Sequence, residues 1–208
     1  RFVFGITDSI VSIEFAPDSK LEVIEKDSFK AVSESIIIPP NVKIINIDAF
    51  SYSLKKMTVL PNNKHFKNYE DKLILGKSDI NSDIFDVIVF AQRNIMSVTI
   101  PSNIKIIGPS AFRNSQIESI IIPSSVTKIS VNAFGNCRKL KNVEISPDSK
   151  LEIIDNFAFA ESNILSIFIP SHVEIIGRRA FDRCYSLNKV EFASDSNLQI
   201  IGISAFHC

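Results

Sequence analysis

The sequence has no tryptophan and, in 208 residues, only six glycines, three histidines and three cysteines. Each scarcity closes off a kind of chemistry. The glycines never cluster, so no glycine-rich loop is available to cradle a phosphate. His65, His172 and His207 stand in separate stretches, and their spacing supports no Ser/His/Asp or Cys/His arrangement. Cys137, Cys184 and Cys208 form neither a Cys-x-x-Cys pair nor a Cys/His cluster, which argues against zinc, and an odd count makes no disulfide framework. The 23 basic side chains are balanced by 23 acidic ones, so the chain lacks the basic excess of a nucleic-acid or anionic-membrane binder. No run approaches the roughly eighteen apolar residues of a membrane span, and the opening RFVFGITDSIVSIEF carries no secretory signal pattern. Carboxylates are scattered rather than paired. The chain therefore reads as non-enzymatic, with no catalytic residue, cofactor or metal expected.

What is present is isoleucine in excess of leucine, abundant phenylalanine, and a sequence that repeats itself. A β-branched excess favours strands. APDSKLEVIEKDSF (Ala16–Phe29), SPDSKLEIIDNFAF (Ser146–Phe159) and ASDSNLQIIGISAF (Ala193–Phe206) are near copies of one another. Ala-Phe recurs at Ala49-Phe50, Ala111-Phe112, Ala133-Phe134, Ala158-Phe159, Ala180-Phe181 and Ala205-Phe206, with Ser28-Phe29 as a variant. From Phe112 onward the steps are 22, 25, 22 and 25 residues. Between these anchors lie alternating strand signals: SIEF, SIIIP, KMTV, SVTIP, SIIIP, NVEIS, SIFIP and KVEF. A period of this length with one strand per repeat predicts a solenoid, in which no coil buries enough apolar surface alone and each must stack on its neighbours.

The three near-identical stretches are the long form of the loop that returns from strand to Ala-Phe. Asp and Ser there suit turns, because their side chains bond nearby backbone; a calcium site at Asp18, Asp148 and Asp195 would lack clustered carboxylates. Alternation points Val143 and Ile145 inward and Asn142 and Glu144 outward, with Leu140, Leu151, Ile154 and Phe159 completing that coil's interior. Phenylalanine at one place in successive coils predicts a stacked aromatic column. The segment around each Ala-Phe is too short for a full helix and reads as a 3₁₀ or single helical turn, with a second short strand at TKIS or EIIG. Cys137 and Cys184 fall three residues after their phenylalanines and two coils apart, roughly 10 Å at the strand spacing. That is too far for a disulfide.

One interval breaks the period: Phe50 to Phe112 spans 62 residues. The extra sequence, Pro61 to Asn94, holds two apolar runs, KLILGK and DVIVFA, joined by the turn-rich SDINSDIF. It predicts a β-hairpin insertion whose polar tip near Ser78 to Asp83 projects. A basic strip from Arg138–Lys141 with Arg178, Arg179 and Arg183 reads as a solvated face.

The unit resembles the BspA-like class of leucine-rich repeats, a strand LxxVxIP followed by SSVTxIGxxAFxxCxxL. IIIPSSVTKISVNAFGNCRKLKNVEIS (Ile120–Ser146) and IFIPSHVEIIGRRAFDRCYSLNKVEF (Ile167–Phe192) carry the resemblance almost position by position. Ser130, Asn46 and Asp155 depart from it where glycine is usual. The resemblance implies a leucine-rich repeat solenoid, strand-dominated within the α/β class. It would have a parallel sheet on its concave side, short strands and 3₁₀ or helical turns elsewhere, and the hairpin insertion. The organisation expected is one repeat domain over residues 1–208, of about eight to nine coils, with the insertion at 61–94. FVFGITDS resembles the back half of a coil, and neither end is capped, so a fragment of a longer repeat protein is expected. The family's surface proteins imply a cell-surface or secreted adhesion module binding host cell-surface, matrix or microbial proteins. An intracellular or structural repeat scaffold is the alternative. Nucleic-acid binding and direct membrane insertion of this segment are not expected, whereas self-association through the uncapped ends or the insertion is.

Alternation also names the residues facing out of the concave strands: a first column of small and polar residues, such as Ser35, Lys56, Ser119, Asn142, Ser166 and Lys189, and a second of Ile37, Thr58, Thr99, Ile121, Glu144, Phe168 and Glu191. In the second column, apolar side chains stand where solvent should be, among carboxylates. Such a pattern suits a protein-binding surface. Ile37, Thr99, Ile121, Glu144, Phe168 and Glu191 are the candidate ligand-binding residues.

Overall fold

The computed structural model describes residues 10–46 and 49–208, so the half-coil expected around Phe4 lies outside the described residues. The chain divides into two compact units, Arg1–Arg93 and Asn94–Cys208. Both are strand-built coils of the repeat.

In unit 1 the elements run β1 (Ile10–Ile13), β2 (Val23–Ile24), β3 (Val32–Ile38), β4 (Ile44–Ile45), β5 (Lys56–Val59), β6 (Lys67–Tyr69), β7 (Leu73–Gly76) and β8 (Val87–Ala91). The one-per-coil strands β1, β3 and β5 pair in parallel, with Ser12 opposite Ser35 and Ser35 opposite Lys56. The two-residue strands β2 and β4 make a second parallel ladder across the coil. Inward isoleucines and phenylalanines meet in one core, where Ile24, Val32, Ile36, Phe50, Leu54 and Met57 are buried.

The insertion is antiparallel, β6 against β7 and β7 against β8. The two apolar runs become β7 and β8, while β6 carried no strand signal in the sequence. Tyr69 and Leu73 lie opposite each other, and in the loop between them Glu70 and Asp71 turn left-handed, at φ 49° and 50°, while the Lys72 N–H closes the turn on Tyr69 C=O. Phe66, Ile74 and Phe90 join the coil core. The insertion is therefore packed into unit 1 and does not hang from it.

β5 is the last strand of its sheet, and its free edge is closed by side chains. Gln92 donates from Nε2 to the Met57 carbonyl at 2.7 Å and accepts the Met57 N–H on Oε1 at 3.0 Å. Two residues along, Asn68 treats Val59 the same way, at 2.7 and 3.0 Å. Each primary amide presents one donor and one acceptor, the pair a neighbouring strand would have offered. An open sheet edge is a template for unwanted pairing. Here two amides occupy it. Asn63 anchors the start of the insertion, donating to the Pro39 and Val42 carbonyls and accepting from the His65 and Phe66 N–H groups.

Unit 2 is the regular part: β9 (Ile106–Ile107), β10 (Ser119–Ile122), β11 (Lys128–Ile129), β12 (Asn142–Ile145), β13 (Ile153–Ile154), β14 (Ser166–Ile169), β15 (Ile175–Ile176), β16 (Lys189–Phe192) and β17 (Ile200–Ile201). The four-residue strands form a parallel sheet in the order β10-β12-β14-β16, and the two-residue strands pair in parallel from β9 through β17. Val98–Ile100, expected as a strand, is irregular. Its coil makes the usual first bond, Glu118 N–H to Met96 C=O, but no ladder to β10 follows.

The Ala-Phe segments form the third side. Phe112, Phe134, Phe159 and Phe181 are fully buried. With Phe206 they stack at centroid separations of 4.9, 5.1, 5.3 and 5.0 Å and interplanar angles of 16°, 3°, 6° and 3°. Successive N–H groups alternate in destination. Phe134 donates forward to Ala158 C=O and Asn136 to Ala160 C=O, while Ala133 and Gly135 donate back to Ser130 and Asn132. These are single i→i−3 turns, and a helix cannot continue at Phe112, Phe134, Phe159 and Phe181 because the residue before each Ala and the second after each Phe turn left-handed. Asn132 and Asn136 sit at φ 55° and 56°, Phe157 and Glu161 at 56° and 58°, Arg179 and Arg183 at 53° and 56°. Asparagine tolerates that conformation, whereas Phe and Arg there cost more and depend on the coil-to-coil bonds to hold them.

The repeated return loops share one device. Ser19, Ser149 and Ser196 each accept on Oγ the N–H two residues on, from Leu21, Leu151 and Leu198. Hydroxyl turn chemistry is thus what the three near-copies preserve.

Candidate recognition surfaces

In unit 2 the register sets outward residues into rows. Ile121 lies opposite Glu144, and Phe168 opposite Glu191. Asn142 pairs with Ser166, and two residues on from each stand Glu144 and Phe168. Ile121, Glu144, Phe168 and Glu191 therefore form one row across four strands. Their exposures differ for a structural reason. Ile121, on the edge strand β10, is 64% exposed, whereas Phe168, on β14 with a neighbour on either side, is half-buried. Glu144 and Glu191 are exposed, and Lys189 pairs with Glu191 at 2.8 Å on the same strand. In unit 1, Ile37 lies opposite Thr58 and is half-buried because β3 is the central strand. Thr99 is exposed on the irregular segment of unit 2 and belongs to no strand row.

Two further features escaped the sequence. One is a cleft of about 320 Å³ on the turn side of unit 2, where Arg113, Arg179 and Arg183 meet Glu161 and Asp182. Arg183 lies 3.8 Å from Glu161, and Asp182 meets His207 at 3.1 Å, so part of the expected basic strip is neutralised within the turns. The other is a groove of about 560 Å³ in the insertion, lined by Lys64, His65, Lys77, Ile80 and Phe85 among others. Burial and the nearby Lys77, Lys43 and Lys64 hold the His65 imidazole below its ordinary pKa. Each feature brings together segments far apart in sequence, which is why spacing could not reveal it.

Cys137 and Cys184 are buried free thiols, donating to Phe112 C=O and Phe159 C=O at 3.0 and 3.1 Å. Burial pushes Cys184 up to about 11, the opposite of an activated nucleophile. Among the described residues no group of three or more His, Cys, Asp or Glu could hold a metal ion, and no helix is long and apolar enough to cross a membrane.

The family model for the BspA-type leucine-rich repeat region matches in six copies, over residues 1–81 and 78–208. A comparison with curated proteins finds no significant match. Among solved structures, the pneumococcal vaccine antigen PcpA aligns with a TM-score of 0.76 at 22% identity, over 87% of this chain and 44% of its own. A leucine-rich cell-surface protein of Faecalibacterium prausnitzii aligns at 0.62 and 21% identity, over 93% of this chain and 63% of its own. A leucine-rich repeat protein of Eubacterium ventriosum aligns at 0.53 and 17% identity, over 85% and 62%. The chain thus spans less than two thirds of the length of each of these structures. At such identities the likeness is one of fold, and it agrees with the stacked phenylalanines and paired short strands. With the family model matched along the whole sequence, the chain belongs to the BspA-type leucine-rich repeat family.

Proposed function

We propose that this chain is a non-enzymatic recognition module of a cell-surface or secreted protein, docking partner proteins on the long-strand face of unit 2. The observation that carries the reading is the row Ile121–Glu144–Phe168–Glu191, apolar and acidic side chains alternating across four hydrogen-bonded strands. A sheet fixes such side chains in place, so a partner meets them with little further ordering cost. Phe168 is the anchor, and aromatic anchors cost more than about 2 kcal/mol when truncated. Glu144 and Glu191 orient the partner and speed encounter. Ile37 with Thr58 offers a smaller patch of the same kind in unit 1, and Thr99 a polar contact in unit 2. The surface setting draws support from relatives described as a cell-surface protein and a vaccine antigen, and the partners envisaged are host or microbial surface and matrix proteins.

The test is surface-plasmon resonance of the immobilised chain against a panel of extracellular-matrix and cell-surface proteins. Phe168→Ala should speed dissociation by about tenfold or more, while Glu144→Lys should slow association in a salt-dependent way. A binder whose kinetics are unchanged by the Phe168→Ala, Glu144→Lys double variant would remove the strand face from consideration.

A further inference from the structure

The insertion, Pro61 to Asn94, carries five basic and five acidic side chains, yet two of its lysines converge on one ring and a third lies close by. Lys67 and Lys77 both place Nζ over the Phe85 ring, at 4.5 and 4.9 Å from its centroid. The two ammonium groups are therefore within about 10 Å of each other, a distance over which like charges still repel at ordinary ionic strength. Lys64 lines the same groove. Among the described residues, none of these three lysines makes an ion pair. Asp83 is the one carboxylate lining the groove. Nearby Asp86 is buried and taken up by the Ser78 N–H and hydroxyl, both at 2.8 Å.

A second observation points the same way. His65 Nδ1 is buried and has no hydrogen-bond partner among the described residues, although its backbone is pinned by Asn63. A buried polar atom without a partner is rare and calls for an explanation. The His65 side chain that carries it lines the groove together with Lys64 and Lys77. Ile80, which lines the groove, is 46% exposed, and Ile84, between the lining residues Asp83 and Phe85 in the chain, is 54% exposed.

We propose that the insertion groove binds an acidic peptide segment of a partner protein, its carboxylates meeting Lys64, Lys77 and the His65 imidazole while an aliphatic side chain rests on Ile80. The lysines select an anion by charge complementarity. Ile80 and Ile84 favour a peptide over a sulfated polysaccharide, because a uniformly hydrophilic polyanion gains nothing from exposed isoleucine. The insertion suits this role mechanically: Asn63, Asn68 and Gln92 tie it to the coil at both ends, so the groove is held ready before a ligand arrives.

The test uses the whole chain and fluorescence anisotropy with a labelled octapeptide of alternating Glu and Leu. Saturable binding is expected, weakening with added salt. The Lys64→Glu, Lys77→Glu variant should weaken it at least tenfold, the neutral Lys64→Gln, Lys77→Gln variant less, and Ile80→Ser about threefold, each with an unchanged thermal melt. Phe168→Ala should leave this binding untouched, which separates the groove from the strand face. The proposal is overturned by no saturable binding, by equal binding of a Lys/Leu octapeptide, or by indifference to charge reversal. Tighter binding of heparin than of the Glu/Leu peptide would also overturn it, in favour of a glycan.

Discussion

Unit 2 and the insertion of unit 1 solve one problem in opposite ways. In unit 2 every coil is closed by the next: N–H groups of Phe112, Phe134, Phe159 and Phe181 all reach carbonyls one coil on, and the aromatic rings stack above them. Where the period breaks, no following strand completes β5, and the amides of Asn68 and Gln92 supply its hydrogen bonds instead. The difference shows what a repeat requires. Its sequence may change freely as long as buried backbone groups find partners, and side chains can stand in for backbone where a coil is interrupted.

That contrast can be broken by mutation. The largest effect should come from the regular unit: Phe134→Ala, in the middle of the stack, should cost about 3–5 kcal/mol by the large-to-small rule. Chemical denaturation would measure it, and a loss below about 1 kcal/mol would mean that the column is not a core. The edge clamp should come next. Gln92→Leu leaves the Met57 N–H and C=O without partners, at about 1–3 kcal/mol for each buried group, and hydrogen exchange at Met57 should accelerate. If exchange there is unchanged, the amide is not closing the edge.

A sharper test of coil spacing uses glycine. A Cβ at Gly177 would meet the Asn156 backbone nitrogen at 2.5 Å, while one at Gly135 meets nothing closer than 3.1 Å. Gly177→Ala should therefore cost about 1–3 kcal/mol and Gly135→Ala much less; equal melting temperatures for the two would contradict the close stacking.

The smallest effects are those of pH, and they differ in sign between the units. In unit 2, burial raises Cys184 from 9.0 to about 11, so the folded chain keeps a proton that the unfolded chain gives up. Its contribution is complete below about pH 9 and is lost as pH climbs through 11. Cys184→Ser should flatten that alkaline limb. In unit 1, His65 is held below 6.5, so on acidification the unfolded chain takes the proton first. Stability should fall as pH drops below about 6.5, and His65→Gln should lessen the fall. Melting curves across both ranges would read the two slopes.

Much of the regular unit was legible because its signals are local and repeated. Ala-Phe spacing marked the column, alternation marked Ile121, Glu144 and Phe168 as outward, and the Pro-Asp-Ser loops marked the turns. Val98–Ile100 shows the limit. SVTIP reads like SIIIP and SIFIP, yet only the latter two become strands, because a strand exists through its neighbour's hydrogen bonds and not through its own alternation. β6 escaped for the converse reason: Lys67–Tyr69 has no apolar alternation and is a strand only because β7 lies beside it.

By itself, then, the sequence determined the repeat, its inward and outward faces and the place where the period fails, since these follow from the order of apolar and polar side chains along the chain. Only the tertiary structure decided which of the outward residues are open to a partner. Ile121 is exposed at a sheet edge, and Phe168 is half-covered between two strands. It also decided that Asn68 and Gln92 would close the edge of β5, that Lys67 and Lys77 would meet over Phe85, and that Lys64 and His65 would line the groove beside it. Those arrangements join residues up to 35 positions apart, and distance along the chain carries no information about which of them the fold will bring into contact.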